Sequence, residues 1–226
     1  MITLIWILMF GLLILGFVVQ ARLRSKFKEY SQYPTPNGMS GAEVAAKMLL
    51  DNGIHDVNIT SVEGSLTDHY NPIDKTVNLS PDVYAGRSIM AATIAAHECG
   101  HAVQHAHAYT WLTMRSTLVP VVSFSSRYMQ WVLLAGILMM NVFPQLLLAG
   151  IVLFGLTTLF SFVTLPVEFD ASRRALAWIS KSGFMENEDY ERAKDGLYWA
   201  AMTYVVAALA SLATLVYYIM IFMRRR

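Results

Sequence analysis

Four long apolar stretches alternate with polar ones along the chain. The first, Ile2 to Ala21, carries no charge and has the roughly 20 residues a helix needs to cross a bilayer. A longer apolar stretch runs from Leu118 to Leu165, broken by Arg127 and by Asn141-Val142-Phe143-Pro144. It is too long for one span. Asn and Pro punctuate helices, so the pattern predicts two spans joined by a tight turn at Asn141 to Pro144. A fourth run, Tyr198 to Met223, precedes Arg224, Arg225 and Arg226. The chain therefore divides into an anchor (1–21), a water-exposed part (22–116), a transmembrane hairpin (117–165), a second exposed segment (166–197) and a C-terminal transmembrane helix (198–226).

Composition agrees with this division. Of 226 residues, 55% are hydrophobic and 15% charged, where a soluble domain carries about a quarter charged residues. A buried hairpin in a soluble core is the competing reading of 118–165, and the missing charge argues against it. A secretory signal would start with basic residues, yet none precedes Arg22, so the first span reads as an uncleaved anchor. The net charge of +1 offers no basic field for nucleic acid. The single cysteine, Cys99, excludes an intramolecular disulfide and a CxxC metal site.

A hairpin of two spans returns the chain to the side it left, so both exposed segments share one compartment. Arg22, Arg24, Lys26 and Lys28 follow the first span, and Arg173, Arg174, Lys181, Arg192 and Lys194 lie in the second exposed segment. Basic residues collect on the cytoplasmic side, which predicts a multi-pass cell-membrane protein with its exposed parts facing the cytoplasm. The terminal Arg triplet points the other way. Arg127, inside an apolar run, marks either a polar path through the membrane or a side chain snorkelling to its surface.

In the first exposed part, Tyr33 to Gly38 is a turn-rich linker. Ser40 and Glu43 form a capping-box pattern for a helix from Gly41 to a stop at Asn52-Gly53. Val57–Thr60 and Thr76–Leu79 alternate as half-buried strands do, with Asp68 to Asp74 expected as a loop between them. Pro81 opens a new helical region, and Ser88 to about His107 is alanine-rich with no internal Pro.

That segment holds His97-Glu98-Cys99-Gly100-His101. Two histidines four residues apart on a helix lie about 40° apart in rotation and one turn apart in height, so both imidazoles can reach one zinc ion. Glu98 stands where a carboxylate can take a proton from water at the metal. Cys99 lies about 200° around the helix from His97 and should point away, and Gly100 leaves room near the metal-bearing face. The bland alternative is two packed histidines on an alanine-rich helix. Against it, three of the six histidines fall between His97 and His105, with the Glu at the required position.

A catalytic zinc takes three protein ligands and keeps one position open. His105 and His107 stand about 12 and 15 Å along a continuing helix from His97, out of reach. The longer HExxHxxGxxH pattern would need a chain-reversing Gly where Gln104 stands. Glu168 is the better candidate, in Pro166-Val167-Glu168-Phe169-Asp170, where Pro166 suits a helix start and an acidic residue suits its first turn. Asp170 is the fallback ligand, or a partner that orients a ligand His.

AAHECGHAVQH, a hydrophobic hairpin and then PVEFDASRRAL together resemble the YugP-like neutral zinc metallopeptidases of bacterial membranes. The N-terminal span, SLTDHYNP and KTVNLSPDVY extend the resemblance over nearly the whole chain. It implies His97 and His101 as zinc ligands, Glu98 as catalytic base and Glu168 as third ligand. A more distant likeness is to the HtpX and CAAX-prenyl-protease group, where the Glu is followed by xxAD. Here Ala171 matches, but Ser172 stands in place of the Asp.

The expected fold is mainly α and integral to the membrane, with four transmembrane helices and a small α+β zincin-like catalytic part. The expected function is zinc-dependent endopeptidase activity on a polypeptide substrate, a membrane protein among the candidates. His69, Tyr70, Tyr109 and Arg173 are candidates for stabilising the oxyanion, each more often structural than catalytic, and the Thr76–Leu79 strand could pair with an extended substrate. An inactive zinc-binding scaffold in membrane-protein quality control and a transporter are the alternatives. The second is disfavoured by the few ionisable residues in the spans.

Overall fold

A computed structural model describes residues 2–224, all but the side chain of Ile2; Met1 and the last two arginines of the terminal triplet lie outside the described residues. Two compact units emerge, each built from separate chain segments: Met1–Val19, Thr113–Pro166 and Met202–Arg226 in one, Gln20–Leu112 and Val167–Ala201 in the other.

The first unit is helical throughout and draws on α1 (Ile2–Tyr30), α5 (Thr110–Leu138), α6 (Pro144–Lys181) and α7 (Asn187–Met223). All four helices are long and apolar enough to cross a membrane. Their outward faces are what water would not tolerate: Phe17 and Trp131 are each 70% exposed. Small residues let α5 and α6 approach closely. A Cβ on Gly136 would sit 2.5 Å from the Leu147 backbone, and Leu133, Leu147 and Ile151 form a buried cluster beside it. Thr158 and Ser211 share a 2.7 Å hydrogen bond between α6 and α7. Arg127 lies on α5 with its side chain exposed.

The helices outrun the apolar stretches that signalled them. The anchor helix continues past Ala21 to Tyr30, and the last helix starts at Asn187 rather than Tyr198. Pro166 was expected to start a helix, but it lies inside α6, which passes through it unbroken. Proline forfeits one intrahelical hydrogen bond. Ending the helix at the edge of an apolar segment would strand several backbone groups at once, so continuation is the cheaper arrangement. The turn between α5 and α6 falls at residues 139–143, overlapping the expected Asn141 to Pro144, with Pro144 opening α6.

The second unit is α+β. α2 (Gly41–Asp51) carries the full capping box: the Ser40 amide donates to the Glu43 carboxylate at 2.7 Å, and the Glu43 amide donates to the Ser40 hydroxyl at 3.3 Å. It stops at Gly53, whose φ of +70° only glycine adopts without strain. Three strands follow: β1 (Asn58–Ser61), β2 (His69–Asn71) and β3 (Thr76–Leu79). The short helix α3 (Pro81–Tyr84) leads into α4 (Ile89–Ala106), capped by the Ser88 hydroxyl. The segment Asp68 to Asp74, expected as loop, holds β2, which pairs antiparallel with β3 in the register His69↔Asn78. β1 pairs with β3 in parallel, so β3 is central in the order β1-β3-β2.

α4 is the core of this unit. Its alanines (Ala91, Ala92, Ala95, Ala96, Ala102) are almost wholly buried, with Val44, Ala45 and Met48 of α2 and Ala175 and Ile179 of α6 in the same cluster. Trp178 closes the cluster and donates its indole N–H to Asp51 at 2.9 Å. Close packing from three sides holds the motif-bearing helix in one orientation.

Candidate metal centre

His97 and His101 project from one face of α4, their rings 4.9 Å apart and nearly perpendicular. Glu168, from α6, is buried and reaches the same point: its Oε2 lies 3.3 Å from Nε2 of His97 and 3.6 Å from Nε2 of His101. Among the described residues these three form one group able to hold a metal ion. Zinc bonds of about 2.0–2.2 Å in a tetrahedron put ligand atoms about 3.3–3.6 Å apart; the two carboxylate–imidazole distances match that spacing, and all three ligand atoms lie within 4.8 Å of one another.

The hydrogen bonds around the imidazoles test the fit more strictly. Nδ1 of His101 lies 3.0 Å from Oε1 of Gln104, while Nε2 of Gln104 donates to the Val167 carbonyl at 2.8 Å and to Asp170 Oδ2 at 2.9 Å. Both groups facing the amide nitrogen are acceptors, so the NH2 must be there and the oxygen must face His101. His101 therefore carries its proton on Nδ1, which leaves a lone pair on Nε2. Nδ1 of His97 lies 3.2 Å from the Ser172 hydroxyl, which can accept its proton. Two imidazole nitrogens and a carboxylate oxygen converge on one point, an arrangement that a metal cation there would favour. The donor set of two histidines and one carboxylate fits zinc with a position left open.

Glu98 is buried beside this point. Burial, opposed by nearby His97, pushes its carboxyl from 4.5 up to about 7, and the Tyr70 backbone amide faces it from β2. A carboxyl balanced near neutrality suits proton transfer in both directions.

Cys99 turns away as expected, buried with its thiol toward the Ala45 carbonyl at 3.6 Å, and burial raises its pKa well above the usual thiol range. Gly100 leaves room at the face that meets the helix of Glu168. That room is filled by α6, for a Cβ there would lie 2.5 Å from the Ala171 carbonyl oxygen. Its missing side chain lets the two ligand-bearing helices touch. His105 and His107 lie outside this group: Nδ1 of His105 meets the Tyr70 hydroxyl at 2.8 Å, and Nδ1 of His107 donates to the Val103 carbonyl at 2.9 Å.

Asp170 is not in the three-residue group. Arg173 and Arg174 pair with it, and it meets His101 only through Gln104. Glu168 itself sits in mid-helix, so the expected stabilisation by a first-turn dipole does not apply. The four oxyanion candidates are each engaged: Tyr70 by His105, Arg173 by Asp170, Tyr109 beneath the Arg174 guanidinium at 5.7 Å, and His69 by the Thr67 carbonyl at 2.8 Å. Gln104 and Ser172 were not read as site residues from the sequence. Their signal was positional, one turn after His101 and one turn after Glu168, and it becomes meaningful once α4 and α6 are known to be in contact.

The matching family is described as "Putative neutral zinc metallopeptidase" and covers residues 5–223. The chain belongs to this zinc metallopeptidase family and is a membrane protein with four apolar helices. It is 42% identical over 212 residues to the "Putative membrane protease YugP" of Bacillus subtilis (strain 168), covering 94% of this chain and 93% of that protein. No solved structure matches.

Proposed function

We propose that the protein is a membrane-bound zinc endopeptidase in which His97, His101 and Glu168 hold the metal and Glu98 is the general base. The convergence of two imidazole lone pairs and one buried carboxylate oxygen carries this reading. When bound, zinc supplies Lewis acidity to a peptide carbonyl and to water. Glu98 takes the proton from the attacking water and returns it to the nitrogen of the leaving amine, and its buried carboxyl suits both transfers. Gln104 and Ser172 keep both imidazoles turned so that Nε2 faces the ion.

The strand first expected to pair with substrate, β3, has both edges filled by β1 and β2. β2 is an edge strand of the sheet and sits nearest Glu98 through the Tyr70 amide, so we assign it the role of aligning an extended polypeptide. The substrate is a membrane polypeptide. Leu165 ends an apolar stretch, and only three residues of chain, at most about 11 Å, separate it from Glu168. A bond close to the end of a substrate's transmembrane segment lies within reach. The basic residues after the first span support a cytoplasmic location for this chemistry.

The test is reconstitution with a reporter made of one apolar span and a long unstructured tail, with cut positions mapped by mass spectrometry. Cuts should cluster in the part of the tail nearest the span and vanish in Glu98→Gln. Zinc-loaded protein that cuts nowhere would defeat the reading, and cuts scattered evenly along the tail would defeat the membrane-polypeptide assignment.

A further inference from the structure

Gln104 is fully buried, and every polar atom of its side chain is used in a way that ties the two ligand-bearing helices together. It stands on α4 one turn after His101. Its amide nitrogen reaches α6 at Val167 and Asp170, one residue before and two residues after Glu168. Asp170 is 4% exposed and is itself held by Arg174 at 2.6 Å and by Arg173.

We infer that Gln104 is a positioning residue that assembles the zinc site before the metal arrives, and that Asp170 acts on His101 only through it. Two consequences are built into one side chain. The amide cannot flip, because a flip would set its oxygen against the Val167 carbonyl and the Asp170 carboxylate. With the oxygen fixed toward His101, the ring is confined to the tautomer whose Nε2 can bind metal. The same two donor bonds fix the height of α6 against α4 on either side of Glu168, which sets the distance between carboxylate and imidazoles. A relay that ran directly from Asp170 to the ring would orient the imidazole but leave that distance unset.

The inference rests on His101 and Glu168 being zinc ligands. The experiment is zinc affinity of the full-length protein in detergent or nanodiscs, by competition with a chromogenic chelator, for wild type, Gln104→Met, Asp170→Ala and the double variant. Methionine conserves volume in the buried position, and the fold is checked by circular dichroism. Gln104→Met should weaken zinc about 10- to 100-fold. Asp170→Ala should weaken it in the wild-type background and have no further effect in Gln104→Met.

Equal zinc affinity in wild type and Gln104→Met would overturn the inference while leaving the peptidase reading intact, and so would additive effects of the two substitutions. Wild-type protein that binds no zinc would instead strike at the reading beneath it. A second readout needs no variant: in metal-free wild-type protein with 15N-labelled histidine, Nδ1 of His101 should be protonated, and a bare Nδ1 would overturn the proposal.

Discussion

The Ser172 hydroxyl lies 3.2 Å from Nδ1 of His97, linking α6 to the first histidine of the α4 motif. Ser172 occupies the position at which the xxAD pattern of the more distant resemblance would put an Asp. The neutral hydroxyl orients the ring without adding charge to a site that already holds Glu98 and Glu168. Ser172→Ala should weaken zinc binding about 10-fold, and Ser172→Asp should match or exceed wild type. Chelator competition on the three proteins decides it; an unchanged alanine variant would mean His97 needs no such partner.

Glu98→Gln should retain zinc while losing about 10²- to 10⁴-fold in turnover, the range of a missing general base. Metal content by atomic absorption, measured alongside reporter cleavage, separates this from an inactive scaffold, in which the substitution would change nothing.

The Glu98 carboxyl also predicts a pH dependence of the metal-free protein. Its folded pKa, about 7, lies above the unfolded 4.5, so the folded state binds the proton more tightly. The resulting stability is fully present below the unfolded value and lost as pH rises through about 7; it amounts to about 3 kcal/mol at most. Glu98→Gln should remove this pH-dependent part. Thermal midpoints of chelated wild-type and variant protein should therefore change differently across that window; parallel profiles would contradict the buried carboxyl.

Gly100→Ala tests the contact between the ligand-bearing helices. The added methyl would meet the Ala171 carbonyl oxygen at 2.5 Å, a backbone atom with little freedom to retreat. A loss of about 1–3 kcal/mol is expected, with weaker zinc binding because α4 and α6 separate. A variant as stable as wild type and binding zinc equally well would show that the helices can part without harm to the site.

Features set by neighbouring residues were legible from the sequence alone. The Ser40–Glu43 box, the four apolar stretches and the one-turn spacing of His97 and His101 depend on local geometry, and each is present in the fold, although the helices run on past the apolar stretches. Features set by distant contacts were not. β2 is three polar-leaning residues with no alternation of its own and exists because β3 pairs with it. Gln104 looked like a missing glycine until Val167 and Asp170 were brought beside it. Gly100 was read as leaving room, but the helix that fills it, some 70 residues further along the chain, could not be named. Pro166 was misread because a proline signal weighs less than the cost of open backbone groups near lipid.

The inward turn of Cys99 has a bearing on the reactivity of the motif. Its sulfur is the only one in the chain able to form a disulfide, and it is sealed under α2 with its proton held firmly. A buried thiol with a raised pKa is a poor target for oxidants and alkylating agents, although it stands inside the motif between His97 and His101. Cys99 thereby adds no redox-sensitive group to the motif.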